Sequence, residues 1–157
     1  MRRNDRQVTE WETIHSVIQK CKVCRLAIIT PGSPYIVPMN FGYSYQEDVL
    51  TLYFHCAGEG RKLDLIQKNP RVGFEMDCDH NLIPGETACG YGYRFSSIVG
   101  TGTVSIVEDV REKQNALSLL MQHQTGKDFT FTQKQANSVT VFQVRANSFT
   151  CKQRTGF

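Results

Sequence analysis

The sequence contains no apolar run that approaches the length of a membrane span, which takes about 20 residues. Its basic start, MRRNDRQVTEWET, is not followed by the apolar segment of a secretory signal. Internal repeats and low-complexity stretches are also missing from the 157 residues. These absences exclude membrane-spanning, fibrous and repeat proteins, and they predict one cytoplasmic domain, residues 1–157.

A strong charge of either sign is missing as well. The 18 basic and 15 acidic residues give a formal net charge of +3, which suits a small anionic ligand but does not indicate nucleic acid. An arm formed by Arg2 and Arg3 leaves nucleic-acid binding open as an alternative, although no strand alternates aromatic and basic residues. We therefore expect neither a nucleic-acid nor a membrane partner.

The short motifs of nucleotide and metal sites are absent or incomplete. Neither the phosphate loop GxxxxGK[ST] nor the fingerprint GxGxxG occurs. Cys21 and Cys24 form one CxxC pair, and no second CxxC or HxxxH pair completes a zinc site. Cys78 and His80 are the residues that could join them in a structural metal site. The pattern favours free thiols and no metal.

Three helices and six strands are predicted from hydrophobic spacing and from the positions of glycine and proline. The helices are expected at about 9–20, 59–68 and 109–123. The strands are expected at 23–30, 34–45, 49–56, 71–78, 93–109 and 138–151, with a loop at 79–91. Thr9 and Glu12 match a capping box, Asp109 is a predicted N-cap, and Gly100 and Gly102 predict a bulge.

The order of these elements, α-βββ-α-ββ-α-β, does not alternate strand and helix. It therefore disfavours a doubly wound parallel sheet. It favours a mainly β protein with flanking helices, in which the strands form an antiparallel barrel.

The strand at 49–56 indicates which of its residues face the core. Side chains alternate along a strand, so Leu50, Leu52 and Phe54 share the apolar inner face. His55 then lies on the outer face beside Tyr53, and the apolar character of that face suggests cover by a ligand or a second subunit. A plain surface histidine at the end of a strand is an equally good interpretation.

The stretch YFHCAGEGRKLDLIQKNP, residues 53–70, joins this strand to the second helix. Small residues, a helix start and the adjacent cations Arg61 and Lys62 are the features that hold a phosphate group. A solvated Arg-Lys pair on a surface helix explains the same residues. Composition alone does not choose between them.

This stretch resembles the strand-turn-helix motif of the pyridoxamine-phosphate oxidase-like, FMN-binding split-barrel superfamily. The whole chain is similar, in collinear order, to the nitroimidazole-resistance (Nim-type) branch. The segments that carry the similarity are KCKVCRLA, PYIVPMNFGY, LYFHCAGEGRKLDL, NPRVGFEMD, PGETAC, YRFSSIVGTG and LMQHQTG. The resemblance implies an antiparallel split β-barrel, bound FMN, and a homodimer with two flavins in the subunit interface.

The resemblance also implies roles for particular residues. The phosphate of FMN would be bound by Arg61 and Lys62, and its ribityl-phosphate end would be contacted by Ser97. The positions that would line the isoalloxazine ring, largely through main-chain groups, are Pro38, Met39 and Asn40. His55 and Cys56 stand where the superfamily has a Tyr-Thr pair, and His55 would lie beside the flavin and the substrate.

Two departures from the superfamily pattern bear on function. Gly60 replaces the serine that precedes Arg-Lys, and SFTCKQRTGF has no counterpart of the C-terminal Trp and Arg that grip substrate in the oxidases. Vitamin B6 oxidation is therefore not expected. The function expected is FMN-dependent reduction or oxidation of a small planar or nitroaromatic compound, with NAD(P)H as a possible donor and His55 as the catalytic residue. The alternative is a non-catalytic module for FMN or haem, with His55 and Cys56 as conceivable haem ligands.

Overall fold

The structure is a computed structural model and describes residues 3–156 of the chain. Arg2, one half of the arm considered for nucleic acid, lies outside the described residues. Within the described part, no helix is long and apolar enough to cross a membrane.

Within residues 3–156, eight strands and four α-helices form the fold. The strands are β1 (Gln7–Val8), β2 (Cys24–Ile28), β3 (Tyr35–Met39), β4 (Gly42–Gln46), β5 (Val49–Cys56), β6 (Arg71–Ile83), β7 (Gly92–Ile106) and β8 (Thr140–Arg154). The helices are α1 (Trp11–Lys20), α2 (Arg61–Lys68), α3 (Val110–Thr125) and α4 (Gln133–Asn137). All strand pairs are antiparallel, which confirms the predicted mainly β class with flanking helices.

The sheet closes on itself because its two end strands are neighbours in sequence. The strand order is β3-β2-β6-β7-β8-β5-β4, with β1 added beside β8. Only Asn40 and Phe41 separate β3 from β4, so the two ends of the sheet must meet. No pairing joins β3 to β4 within residues 3–156, and the barrel is therefore split along this line.

The inner face of the barrel is apolar, as the alternation along β5 predicts. Leu50, Leu52 and Phe54 are buried, while His55 between Phe54 and Cys56 is exposed. The amphipathic helix α1 closes one end of this core by burying Ile14, Val17 and Ile18. Removal of these side chains from water is the dominant favourable term in folding.

The outer face of the barrel differs between its two halves. Helices α3 and α4 cover the side near β8 with a second core made of Val107, Ala116, Leu117, Ala136 and Val141. Tyr53 packs against this cluster, so helices of the same chain cover the outer face of β5 there, rather than a ligand or a second subunit. On the other half, β3, β2, β6 and β7 expose apolar side chains at Ile36 and Val99.

Three predicted boundaries are wrong. Helix α1 is preceded by Glu10 as its N-cap, without a side-chain bond, so Thr9 and Glu12 do not form the expected capping box. The single strand predicted at 34–45 is two strands, because the chain crosses the split at Asn40 and Phe41. The loop predicted at 79–91 is largely strand, since β6 extends to Ile83.

Helix α4 was not predicted, although its sequence contains a capping box. Thr132 accepts a hydrogen bond from the Gln135 amide, and the Gln135 side chain accepts one from the Thr132 amide. The predicted N-cap of α3 is confirmed, because Asp109 accepts bonds from the amides of Arg111 and Glu112. The predicted bulge is also confirmed by a register shift in β7 between Thr101 and Gly102.

Candidate functional site

Most of the predicted site residues lie along the split of the barrel, which we call the seam. It is bordered by Tyr35–Asn40 on one side and by His55–Lys62 on the other. Strands β4 and β5 pair with Gly42 opposite Tyr53. The sequence separates the two segments by the 14 residues from 41 to 54. The contact of Arg61 with the Tyr35 ring brings the start of α2 to the start of β3.

Helix α2 begins at the seam and directs its first cation across it. The Arg61 guanidinium carbon lies 4.6 Å from the centre of the Tyr35 ring, within the range of a cation–π contact. This contact was not predicted from the sequence, because Tyr35 and Arg61 belong to elements that meet only when the barrel closes. It holds Arg61 at the border of the seam.

The turn that leads into α2 leaves space for a ligand. Gly60 is the N-cap and has φ 137°, a conformation that favours glycine, and a Cβ added to Gly60 or to Gly58 would meet no atom within 4 Å. Since Gly60 has no side chain, it cannot cap the first amides of the helix. The amides of Arg61 and Lys62 and their side chains can therefore bind an anion together.

Strand β3 presents backbone rather than side-chain groups to the seam. It is an end strand of the sheet, so its unpaired edge offers N–H and C=O groups to a ligand. The Asn40 side chain is engaged elsewhere, since its Nδ2 donates to the Lys22 carbonyl at 3.0 Å and to Gln124 Oε1 at 3.2 Å. Met39 packs against the core and Pro38 has no amide hydrogen.

His55 and Cys56 face opposite sides of β5. The imidazole of His55 is exposed on the outer face, whereas the Cys56 thiol belongs to the core. Burial raises the pKa of the Cys56 thiol, and the nearby Lys62 ammonium opposes that rise. The side chain of His55 can meet a ligand in the seam, while Cys56 can contribute only its backbone.

Ser97 lies away from the seam of its own chain. It is on the outer face of β7, opposite Asp77 on β6 and Lys152 on β8. Strands β2 and β6 separate it from β3 in the sheet order. Seven of the eight predicted residues belong to the two segments that border the seam, and Ser97 lies outside it.

The cysteines do not build a metal site. All six are free, and within residues 3–156 no group of three His, Cys, Asp or Glu side chains could hold a metal ion. The alternative set of Cys21, Cys24, Cys78 and His80 is not assembled. Burial raises the pKa of Cys24 to about 12, so this thiol stays protonated at neutral pH.

An antiparallel barrel that is split between β3 and β4 defines the class of split-barrel proteins. Comparison with protein families identifies the family within this class. The profile described as pyridoxamine 5'-phosphate oxidase matches residues 10–153, and the chain therefore belongs to that family. A search of curated proteins finds no significant match.

Solved structures support this assignment. One is a candidate 5-nitroimidazole antibiotic resistance protein from Bacteroides thetaiotaomicron, with 32% identity, 94% of this chain and 86% of that chain covered, and a TM-score of 0.80. This confirms the resemblance to the nitroimidazole-resistance branch that the sequence indicated.

Two more distant structures share the fold. The FAD and heme binding protein from Mycobacterium smegmatis has 15% identity, with 97% and 75% of the two chains covered and a TM-score of 0.81. The flavocytochrome Anf3 from Azotobacter vinelandii has 17% identity, with 99% and 72% covered and a TM-score of 0.78. At these identities the comparison establishes the fold alone.

Proposed function

We propose that the protein binds FMN in the seam and uses it to reduce or oxidise a small planar or nitroaromatic compound. The observation that carries the proposal is the start of α2, where Gly60 supplies no side-chain cap and Arg61 lies over the ring of Tyr35 on β3, the end strand of the sheet. The start of α2 suits a phosphate group, and the free edge of β3 suits a planar ring with polar edges. The names of the similar structures, which include a nitroimidazole-resistance protein and flavin-binding proteins, support this ligand class.

The residues of the chain would bind and orient the cofactor. Two cations and the amides at the start of α2 would hold the phosphate, and the loss of the serine hydroxyl at Gly60 leaves this to backbone groups. The free edge of β3 at Pro38, Met39 and Asn40 would fix the ring. FMN, when bound, would supply the electron transfer, and the protein the orientation and electrostatics.

His55 would contact the substrate rather than the phosphate of FMN. It is exposed at the end of β5, on the side of the strand that faces away from the core. An imidazole can donate a proton to a substrate as the substrate is reduced. His55 is therefore the proposed catalytic residue.

The proposed assembly is a homodimer with a flavin at each end of the interface. Ile36 and Val99 are 61% and 53% exposed on the half of the outer face that α3 and α4 leave bare. Exposed apolar side chains on one face favour contact with another protein surface. Since Ser97 also lies on this face, the Ser97 that contacts each flavin would come from the other subunit.

Catalysis is tested by repeated turnover. Purified protein loaded with FMN is mixed with NADPH or NADH without oxygen, and the visible absorption of the flavin is followed. A nitroimidazole is then added as acceptor. The proposal predicts loss of flavin absorption, its recovery with the acceptor, and more than one acceptor consumed per flavin. Flavin that binds but never turns over would contradict the enzymatic role while leaving the binding role intact.

A non-catalytic binding module is the second candidate. The flavin- and haem-containing structures of the same fold favour it. For haem the chain offers a single ligand at this place, because successive side chains of a strand point to opposite faces and only His55 is exposed. Haem titration of the wild type and of His55→Ala distinguishes this candidate, which predicts a visible haem spectrum that the variant lacks.

A further inference from the structure

The last turn of α3 joins two connections that are far apart in the sequence. One is residues 21–22, between α1 and β2, and the other is residues 40–41, where the chain crosses the split between β3 and β4. The helix residues that meet them are His123 and Gln124, which belong to the segment LMQHQTG, residues 120–126. The flavin site proposed above gives this segment no role.

The side-chain amide of Gln124 is the centre of this contact. Its Nε2 donates to the Phe41 carbonyl at 2.8 Å and to the Lys22 carbonyl at 3.2 Å. Its Oε1 accepts from Asn40 Nδ2 at 3.2 Å, and the same Asn40 nitrogen donates to the Lys22 carbonyl at 3.0 Å. A primary amide has two N–H donors, so Gln124 and Asn40 each use both of theirs here. We call Gln124, Asn40 and the Lys22 carbonyl the crossover clamp.

The neighbouring residues anchor the helix turn that carries the crossover clamp. The side chain of His123 is buried, and its Nε2 donates to the Cys21 carbonyl at 2.8 Å. In return, Lys22 Nζ donates to the His123 carbonyl at 2.6 Å. The helix then ends at Gly126, whose φ of 73° is the left-handed conformation common at helix C-termini. Gln124 is therefore carried by a turn that is itself tied to the chain next to α1.

Asn40 needs the crossover clamp because strand pairing ends before it. The pairing of β3 with β2 ends at Met39, and within residues 3–156 no strand pairs with the other edge of β3. The side-chain bonds to Gln124 and to the Lys22 carbonyl take the place of ladder bonds at Asn40. Exposed segments with few contacts open readily, and Asn40 is exposed. The clamp is thus what fixes the end of the open strand edge.

We propose that Gln124 is a positioning residue for the flavin, acting through Asn40. The inference rests on the proposed function, in which the main chain of Pro38, Met39 and Asn40 lines the isoalloxazine ring. Hydrogen bonds to the polar edge of the ring need main-chain groups at about 3 Å, and fixing this segment before the flavin arrives lowers the cost of ordering it on binding. The role concerns the ring end of the flavin and not its phosphate end.

The proposal is tested by FMN titration and by the visible absorption spectrum of the bound flavin. Gln124→Ala removes three hydrogen bonds of the clamp, so it should weaken FMN binding about 10-fold. It should also shift the visible bands, which report the surroundings of the ring. Gln114→Ala is the matched control, since it loses a bond of the same kind, from Nε2 to the Phe131 carbonyl at 2.6 Å, near the start of the same helix. It should change neither property.

Two further variants separate hydrogen bonding from packing. Gln124→Glu keeps the size of the side chain, but its carboxylate cannot donate to the carbonyls of Phe41 and Lys22, so it should reproduce the effects of Gln124→Ala. Asn40→Ala removes an exposed side chain and should have the same two effects. Added to Gln124→Ala, it should cost less than it does alone, because members of one hydrogen-bond network are not additive.

Urea unfolding shows which of these variants are folded. Wild-type affinity and spectrum in folded Gln124→Ala and Asn40→Ala would overturn the proposal, and so would equal effects from Gln114→Ala. The phosphate-anchor variant, Arg61→Ala with Lys62→Ala, should lower affinity without shifting the bands of the flavin that still binds. A wild-type protein that does not bind FMN would contradict the proposed function itself and this role with it, whereas FMN binding that ignores the clamp would contradict this role alone.

Discussion

His55 and Cys56 are adjacent in sequence and opposite in environment. The His55 imidazole is exposed at the seam and the Cys56 thiol is packed in the core, because successive side chains of β5 point to opposite faces. The sequence alone predicts this alternation from Leu50, Leu52 and Phe54. It does not predict where this face lies relative to β3, since that depends on the closure of the barrel.

Replacing His55 separates its two possible roles. We expect His55→Ala to retain FMN while its turnover with a nitroimidazole falls by about 10²-fold or more, the usual contribution of a positioned proton donor. Steady-state rates and a flavin titration measure the two properties. Gln46→Ala, an exposed residue at the end of β4, serves as control and should change neither. Loss of flavin from His55→Ala would make His55 a binding residue instead.

His123 makes stability depend on pH. Burial lowers its pKa from 6.5 to about 4, and the bond from its Nε2 to the Cys21 carbonyl, at 2.8 Å, opposes that shift. The unfolded chain therefore binds a proton that the folded chain does not, and the free energy of unfolding should decrease as pH falls from about 6.5 toward 4. His123→Gln should remove this part of the dependence.

Urea unfolding of the wild type and of His123→Gln, at intervals between pH 7 and pH 4, measures the effect. The difference between the two free energies should narrow as the pH falls, because only the wild type gains a proton on unfolding at this position. A difference that is constant across the range would show that His123 does not titrate as its burial requires.

At the scale of elements, α3 is placed by its contact with β4. A Cβ on Gly42 would lie 2.4 Å from the backbone nitrogen of Leu120, so the helix rests directly on this glycine. Gly42→Ala should destabilise the protein by about 3 kcal/mol, the upper end of the cost of overpacking, since backbone cannot rotate away. Gly32→Ala, where an added Cβ meets nothing within 4 Å, is the matched control.

Urea denaturation gives the two free energies of unfolding. The fold requires that Gly42→Ala lower the free energy of unfolding much more than Gly32→Ala does. If the two variants are equally stable, α3 does not pack on β4 as closely as the structure has it.

Elements with a clear hydrophobic periodicity or a local capping signal were predictable from the sequence. Elements whose limits are fixed by tertiary contacts were not. The strand at 49–56 and the cap at Asp109 follow from local patterns, and both are present. The break at Asn40 has no local cause, because the chain turns there only to cross between the ends of the closed sheet. Helix α4 is short, and its hydrophobic contact is confined to Ala136, so periodicity does not reveal it.

At the scale of the whole molecule, the seam forms only when the β-barrel closes. The sequence predicted Arg61 and Lys62 from local residue types and from family resemblance, but the Tyr35 contact requires the barrel. The proposed contact of Ser97 with a flavin is not made within one chain, since Ser97 lies on the exposed half of the outer face, away from the seam. The proposed second subunit would bring it to a flavin.

The proposed homodimer is tested by placing a charge on the exposed half of the outer face, where Val99 lies. Val99→Asp should convert a dimer into a monomer, because a buried carboxylate at an apolar interface is costly unless it is paired. Sedimentation equilibrium measures the mass. Phe129→Asp, at an exposed residue between α3 and α4, should leave the dimer unchanged. A wild-type protein that sediments as a monomer would contradict the proposed assembly.

The central claim is that the start of α2 holds the phosphate of FMN, and a fluorescence titration of FMN tests it most directly. The wild type should quench FMN fluorescence, and Arg61→Ala with Lys62→Ala should weaken binding by at least ~3 kcal/mol, more than 100-fold in Kd. Lys68→Ala, at the far end of the same helix, should bind as the wild type does. Equal affinity for FMN in the wild type and in the Arg61, Lys62 variant would contradict the account.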